Sequence, residues 1–341
     1  MPTNADREIA TVASACDSVR VELGTDALMQ IGRLGGGWGS YASLARFASG
    51  TRLILHRGSR LTIQNGYRLR LDTGTVLEIH PGAVVELQGD SSILEIHGQV
   101  ILHPGARLAP TGGGILWVNA RQNSSRWSFG AGASLELRGR SSEHLRLVIE
   151  GQWQLGSLRD SVLLESCRVR ITTGSIWECY GPVAVQRCKI GENSNLGPGT
   201  AWVVHGSALR NLSQAQITNM QTGLRLHLFG VMTHPQLRDL EFTGNEIGLE
   251  THSAGIDLLR CRFRDNRIGW RGYDITGLSR ALQSEWVGHV SGVDVMGQAG
   301  ALLRLQECRL DSNRTGMFSF GQLRVEMLCS GFARNETGWY A

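Results

Sequence analysis

The chain has 341 residues, of which 19% are charged, and a formal net charge of +4; this composition excludes an intrinsically disordered or coiled-coil protein. Lys189 is the only lysine, and the arginines alternate with apolar residues instead of forming a basic run, so no nucleic-acid partner is expected. No segment reaches the roughly 20 apolar residues of a membrane span, and no apolar signal-peptide core is visible near the start.

Residues 1–49 do not follow the period of the rest of the chain. Within them, VRVEL at 19–23 predicts a strand and LGGGWGS at 34–40 predicts a loop. We therefore predict that residues 1–49 form a cap on the first coil of a repeat domain, or the remnant of a preceding domain. The repeat domain itself is predicted to cover residues 50–341.

The first half of the repeat domain is marked by glycine turns. One glycine series, Gly50, Gly74 and Gly98, has an interval of 24 residues, and the sequence HPGA occurs at 80–83 and again at 103–106. Short segments with apolar residues at alternate positions, such as VLEI, follow these turns and predict strands. His80 and His103 precede proline in matched turns, so we expect their rings to stack.

A second pattern recurs six times in the C-terminal half. An apolar residue is followed three positions later by a polar anchor and three positions after that by glycine, and these glycines are 25, 21, 23, 24 and 22 residues apart. Asparagine can bond backbone at a turn, stacked copies can bond one another, and glycine is expected to supply a positive φ. The predicted corner ladder consists of Asn245, Asn266, His289, Asn313 and Asn335, with Gly248, Gly269, Gly292, Gly316 and Gly338.

Four of the seven cysteines occur at one position of the repeat, where Cys is followed by a basic and then an apolar residue. A fifth lies one residue away from the equivalent position. Free cysteine packs as a small apolar residue, so a buried structural column is a better interpretation than a disulfide framework. The predicted column is Cys167, Cys188, Cys261, Cys308 and Cys329, with the last displaced by one residue. No C-x-x-C motif occurs, so no metal site is expected; Cys16 and Cys179 are not assigned.

Short strands, turn residues and coils of about 21–25 residues are typical of a parallel β-solenoid, in which each coil buries its apolar face against the next. The pattern C-R-F-x-x-N-x-x-G, clearest at 261–269, resembles the right-handed parallel β-helix repeat of the pectate-lyase-like superfamily. The glycine-rich half resembles large secreted or surface β-helix proteins of bacteria. Because the last residues lie inside a repeat without a cap, we expect further coils or a domain beyond residue 341.

The resemblance implies polysaccharide lyase or hydrolase chemistry, but the paired-acid motifs of such enzymes are missing. Asp274 and Asp294 flank the longest irregular turn, with Arg271 nearby, and are the candidate catalytic residues. A Ca²⁺ ion is expected only for a lyase; otherwise no cofactor is implied. His227, His234 and His252 lack diagnostic metal-ligand spacing.

Trp117, Trp127 and Trp153 are candidates for binding glycan ring faces, since the repeat does not assign them to the core. The leading hypothesis is a non-catalytic secreted or cell-surface scaffold for adhesion or glycan binding, with polysaccharide or cell-surface glycan as partner. The alternatives are a polysaccharide lyase or glycoside hydrolase with a diverged site, and a mechanical spacer in a longer chain.

Overall fold

The computed structural model describes residues 19–32, 44–89, 91–112, 114–120, 127–129, 134–138, 146–155, 161–165, 168–171, 175–179, 183–191, 201–205, 209–228, 235–253 and 255–341. Within these ranges the protein is all-β, with parallel strands stacked as a β-solenoid and without a helix, which confirms the predicted fold class. The described residues therefore contain no helix that is long and apolar enough to cross a membrane. The chain divides into two compact units, Met1–Val169 and Arg170–Ala341.

The first unit carries the following described strands. They are β1 (Val19–Leu23), β2 (Leu28–Ile31), β3 (Leu44–Phe47), β4 (Thr51–Leu55), β5 (Arg60–Ile63), β6 (Arg68–Leu71), β7 (Val76–Ile79), β8 (Val84–Leu87), β9 (Ile93–Ile96), β10 (Gln99–Leu102), β11 (Arg107–Leu108), β12 (Thr111–Gly112), β13 (Ile115–Ala120), β14 (Trp127–Phe129), β15 (Ser134–Arg138), β16 (Arg146–Leu155) and β17 (Ser161–Glu165).

Strand β18 (Arg168–Ile171) spans the division, and the second unit carries the remaining described strands. They are β19 (Ile176–Cys179), β20 (Val183–Gln186), β21 (Lys189–Ile190), β22 (Ala201–His205), β23 (Leu209–Ser213), β24 (Gln216–Thr218), β25 (Thr222–His227), β26 (Gln236–Arg238), β27 (Glu241–Thr243), β28 (Ile247–His252), β29 (Asp257–Leu259), β30 (Arg262–Arg264), β31 (Ile268–Ile275), β32 (Leu278–Leu282), β33 (Glu285–Val287), β34 (Ser291–Gln306), β35 (Arg309–Asp311), β36 (Thr315–Leu328), β37 (Gly331–Ala333) and β38 (Thr337–Tyr340).

Three strands make one coil, and each strand pairs in parallel with the equivalent strand of the next coil. In the first unit β4 pairs with β7 and β7 with β10, so that Leu53, Leu77 and Val100 form one buried column. Strands β1, β2 and β3 pair with β4, β5 and β6 in the same way. The described strands of residues 1–49 therefore stack in register on the strands that follow them.

The core of the second unit is built from side chains one repeat apart. Phe242, Phe263 and Trp286 are fully buried, with ring centroids 4.8 and 5.2 Å apart and nearly parallel planes. These are the apolar residues that precede the polar anchors in the sequence pattern. Burying an aromatic side chain of this kind stabilises the fold by about 1.5–3 kcal/mol. These three consecutive coils thus each contribute one large ring to a stack, which Ile217 and Leu310 continue on either side.

The predicted role of the repeat glycines is wrong. The positive φ belongs to the residue before each polar anchor, at Asn219, Gly244, Asp265, Gly288, Ser312 and Arg334, with φ between 51° and 77°. The repeat glycines lie in strands without a positive φ, and their need for glycine is steric. A Cβ at Gly269 would lie 2.4 Å from the carbonyl oxygen of Gly292 and 2.6 Å from Cδ1 of Trp286. Glycine is required here because adjacent coils approach closely, not because the chain turns.

The polar anchors form a hydrogen-bonded ladder along the corner. The backbone N–H of Asn245 donates to Oδ1 of Asn266 at 2.9 Å, and that of Asn266 donates to Nδ1 of His289 at 3.1 Å. The backbone N–H groups of His289 and Asn313 donate to the side-chain oxygens of Asn313 and Asn335 at 2.9 and 2.8 Å. Because the inner members are about 2–3% exposed, each bond satisfies a buried polar group that water does not reach.

The cysteine column contains fewer thiols than the sequence predicts. Cys188, Cys261 and Cys308 are buried, and burial raises the pKa of Cys261 to about 12. Cys329 is exposed with a φ of 50°, and Ser330 takes the column position instead, accepting a hydrogen bond from the Cys308 backbone N–H at 2.9 Å. The one-residue displacement therefore moves Cys329 to the turn. Cys16 and Cys167 lie outside the described residues.

Replacing Gly269 by alanine should lower the free energy of unfolding by about 1–3 kcal/mol, the usual cost of forcing extra volume into a packed site. The matched control is Gly331→Ala, where a Cβ meets nothing within 4 Å and φ is not positive. The urea midpoints of both variants and the wild type measure the difference. Equal midpoints for the two variants would contradict the close-approach explanation.

Stability should fall as the pH drops below about 6.5, in part through His289. Burial lowers the pKa of His289 even though its bonds with the backbone of Asn266 and Phe263 act to raise it. The unfolded chain then binds a proton that the folded chain resists, so the stabilising contribution is present above the unfolded pKa and is lost as pH falls towards the folded one.

The His289→Asn variant isolates this contribution, because an amide can serve in the same ladder position as in the neighbouring coils. Its urea midpoint should fall less between pH 7.5 and pH 5 than that of the wild type. The same fall in both proteins would show that His289 does not carry the effect.

Candidate functional site

A row of rings runs along the outer face of one sheet in the second unit. His205, His227, His252 and Tyr273 occupy equivalent positions in β22, β25, β28 and β31, as the parallel register requires. Successive ring centroids are 4.9, 4.7 and 4.9 Å apart, and the planes are inclined by 12–29°. We call these four residues the histidine–tyrosine face. The faces of these rings contact one another, and their nitrogen and hydroxyl atoms lie at the ring edges.

A charged column lies beside the histidine–tyrosine face, two residues earlier in each strand and therefore on the same side of the sheet. Its members are Glu178, Arg225, Glu250, Arg271 and Asp294, with Val203 between the first two. The Nε atom of Arg225 lies 2.6 Å from Glu250, and that of Arg271 lies 3.5 Å from Asp294. Opposite charges on adjacent coils are thus paired along the column.

The ring row and the charged column are joined by hydrogen bonds. The Nε2 atom of His205 lies 2.6 Å from Oε1 of Glu178, and Nε2 of His252 lies 2.9 Å from Oε1 of Glu250. The guanidinium carbon of Arg271 lies 5.9 Å from the ring centroid of Tyr273, within cation–π range. Glu250 is buried, while the rings are half-buried, so the carboxylate orients the imidazole from below.

His227 differs electrostatically from its neighbours. Burial first, and then the adjacent His252, His205 and Arg225, lower its pKa to about 4. At neutral pH its imidazole is therefore uncharged and has one N–H donor and one nitrogen acceptor. The ring at the centre of the row is consequently a neutral polar group.

The structure brings together two of the three predicted catalytic residues. Arg271 and Asp294 are neighbours across β31 and β34, at the 3.5 Å distance given above. Asp274 follows the register shift after Gly272, has a φ of 50° and is exposed. It has no ion pair or hydrogen bond among the described residues. A second carboxylate, that of Glu250, belongs to the residue paired with Arg271 on the opposite side, in β28.

The tryptophan candidates do not present a row of ring faces. Trp127 is 5% exposed, and the ring of half-buried Trp117 is covered by the Arg68 guanidinium at 5.0 Å. The side chain of Trp153 lies outside the described residues.

Among the predicted histidine arrangements, His80 and His103 stack with centroids 3.9 Å apart, which confirms that expectation. His234 lies outside the described residues.

Sequence reasoning missed the histidine–tyrosine face although a signal for it exists. His227, His252 and Tyr273 each follow a repeat glycine by four positions, and His205 lies one repeat before His227. The row was not recognised because the type of ring varies from coil to coil. In addition, His234 suggested that the histidines could be metal ligands. Glu250 and Arg225 were likewise missed, since alternating charge along a strand is also typical of a solvated face.

Outer surfaces elsewhere in the second unit carry paired charges. A shallow depression of about 270 Å³ is lined by residues that include Asp257, Arg280 and Arg304. Arg280 Nε donates to Asp257 at 2.8 Å, and Arg304 donates to Glu326 at 2.8 and 2.9 Å. Each guanidinium is thus matched by a carboxylate one coil away. The histidine–tyrosine face is therefore the better candidate for function.

Comparisons with known proteins add little beyond the fold. No protein-family model and no curated protein matches the chain. A solved structure of a periplasmic alginate epimerase mutant is similar with a TM-score of 0.37 and 11% identity, over 89% of this chain and 84% of that chain. A similarity at this level carries no argument about activity or site residues.

The pKa of His227 should be measurable directly as a test of this geometry. In a pH titration followed by imidazole NMR resonances, one histidine should titrate near pH 4, and its signal should disappear in His227→Gln. Such a result would attribute the low pKa to His227, whose ring is partly buried in the stack. A His227 midpoint near the ordinary value of about 6.5 would contradict the arrangement.

Proposed function

We propose that the protein is a non-catalytic β-helix scaffold that binds a polysaccharide along the histidine–tyrosine face. The observation that carries the proposal is an unbroken row of four rings on consecutive coils, beside a charged column on the outer face of one sheet. A site that repeats once per coil suits a ligand that is itself a repeating polymer. Solenoids commonly use such extended surfaces for binding.

The chemistry of the face favours hydroxyl recognition over stacking against sugar rings. Because the four rings stack on one another, their faces are occupied, and the polar atoms that a ligand could contact lie at their edges. The neutral imidazole of His227 and the hydroxyl of Tyr273 can each donate and accept. The proposed binding through polar ring edges differs from the binding through tryptophan ring faces that the sequence suggested.

The charge of the face favours a neutral or weakly charged polysaccharide. The charged column has three carboxylates, Glu178, Glu250 and Asp294, and two guanidiniums, so its formal balance is one negative charge. The guanidiniums already pair with carboxylates at 2.6 and 3.5 Å. A strongly acidic polymer would have to displace these pairs, and like-charge contacts would oppose it.

A polysaccharide lyase or hydrolase is the second candidate, because groups capable of acid–base chemistry share the face. His252, Tyr273 and Arg271 lie on adjacent coils, and Glu250 and Asp294 are two coils apart. Two strand spacings amount to about 10 Å, near the upper end of the carboxylate separation in inverting hydrolases. A lyase would in addition require Ca²⁺.

The proposal places the protein outside the cytoplasm, at the cell surface or secreted, where polysaccharide ligands for adhesion occur. Four of the five described cysteines, Cys179, Cys188, Cys261 and Cys308, are buried, which is compatible with an oxidising compartment, whereas Cys329 is exposed. Burial raises the pKa of Cys179, Cys261 and Cys308, and a buried protonated thiol is a poor partner for disulfide exchange.

Affinity electrophoresis and calorimetry with a panel of neutral and acidic polysaccharides test the proposal. At least one neutral polysaccharide should bind, and His227→Ala or Tyr273→Ala should weaken its binding about tenfold or more, the size of a lost hydrogen-bonding contact to a buried polar partner. The controls are His97→Ala, on another histidine–glutamate pair, and Arg304→Ala, on another outer surface. Equal losses in variants and controls would contradict the assignment to this face.

The same panel separates binding from catalysis when unsaturated uronate absorbance and new reducing ends are followed with and without Ca²⁺. No turnover is expected from a scaffold. Turnover that disappears in Arg271→Gln, Asp274→Asn or Asp294→Asn would overturn the non-catalytic proposal. Absence of both binding and turnover would leave a mechanical spacer.

A further inference from the structure

A second cluster of ligand-type side chains lies in the first unit. Strands β7 and β10 pair with Ile79 opposite Leu102, so the residues that follow them, His80 and His103, are adjacent. Their rings stack with centroids 3.9 Å apart and planes inclined by 16°. Glu78 precedes His80 by two positions and therefore shares its side of the strand. One ligand atom from each of the three residues lies within 4.8 Å of the others.

The cluster holds its donors in a partly desolvated position. Glu78 is 5% exposed, and its Oε2 lies 3.3 Å from Nε2 of His103. The two carboxylate oxygens of Glu78 have different partners, since Oε1 accepts a hydrogen bond from Arg52 and Oε2 faces His103.

A third imidazole is within reach of the same position. His56 follows β4 at the equivalent place in the preceding coil, and its ring centroid lies 5.0 Å from that of His80. Its Nε2 atom is 3.4 Å from Glu22. The imidazoles of His56, His80 and His103 thus form a column over three coils. Glu78 belongs to the middle coil of the three.

We propose that Glu78, His80 and His103 form a binding site for a divalent transition-metal ion, of which Zn²⁺ and Cu²⁺ are the best matched. Two imidazoles and a carboxylate are the ligands that these ions prefer, whereas Ca²⁺ and Mg²⁺ require oxygen ligands. His56 supplies a fourth donor after a change of ring angle, or water fills the position. The site is separate from the histidine–tyrosine face and does not depend on the polysaccharide proposal.

Arg52 sets the strength of the site. Its Nε atom pairs with Oε1 of Glu78, so a metal ion must compete with a guanidinium for the same carboxylate. Removal of this cation should therefore increase metal affinity, an effect that a purely structural ion pair would not produce. A mutation that strengthens binding also separates the proposal from simple loss of folding.

Calorimetric titration of chelator-treated full-length protein with ZnCl₂ tests the site. His80→Ala and His103→Ala should each raise the Kd at least about tenfold or remove one binding equivalent, as expected for loss of a ligand or its support. Arg52→Gln should lower the Kd. His97→Ala is the matched control, because His97 bonds Glu95 at 2.6 Å in the same unit but belongs to no three-ligand cluster among the described residues.

The electron paramagnetic resonance spectrum of added Cu²⁺ provides an independent readout. Coupling to at least two imidazole nitrogens is expected in the wild type, and His103→Gln should remove one of them. Unchanged Zn²⁺ binding in both the His80 and His103 variants would overturn the proposal. So would equal weakening by His97→Ala, or a Cu²⁺ spectrum without imidazole coupling, when circular dichroism shows every variant to be folded.

Discussion

The in-register parallel hydrogen bonding between coils is the constraint on which the rest of the structure depends. It fixes successive coils at about 4.8 Å and places residues one repeat apart beside each other. Residues that recur once per repeat therefore stack in columns. Examples are Phe242 on Phe263, Asn245 on Asn266, and His227 on His252. Both the core and the candidate sites are consequences of the same register. A shift of one residue would send every inward side chain outward.

The same close stacking explains where glycine and the left-handed conformation are needed. The chain turns at the residue before the polar anchor, and several different residue types, such as Asp265 and Ser312, accept φ values near 50° there. Glycine is needed three positions after the anchor, where the next coil's carbonyl leaves no room for a Cβ. The outward positions are free of this packing constraint, and both candidate sites lie on them.

The sequence predicted those features that follow from periodicity alone. The solenoid, the Asn245-to-Asn335 anchors and the stack of His80 on His103 all require only that equivalent positions meet. It did not predict backbone angles, so glycine was assigned the wrong role. It did not predict which side of a strand faces solvent in the less regular region, so Trp127 was taken as a binding residue although it is buried. The histidine–tyrosine face escaped notice because its ring identities and spacings vary from coil to coil.

The two units carry different polar groups on one architecture. In the second unit, rings and paired charges lie along the outer face of one sheet, where we propose that a repeating polymer binds. In the first, ligand atoms of Glu78 and two histidines lie within 4.8 Å of one another, where we propose that a metal ion binds. Both arise where an outward position carries a polar ring in consecutive coils. In both, an arginine shares a carboxylate with a histidine, at Glu250 and at Glu78.

Polysaccharide binding at the histidine–tyrosine face can be tested by the imidazole NMR spectrum of the protein with and without the panel polysaccharides. We expect at least one polysaccharide to shift the resonances of His205, His227 and His252 together, while that of His289, buried in the corner ladder, stays in place. Absence of any shift, or shifts confined to histidines elsewhere in the protein, would contradict the assignment of function to this face.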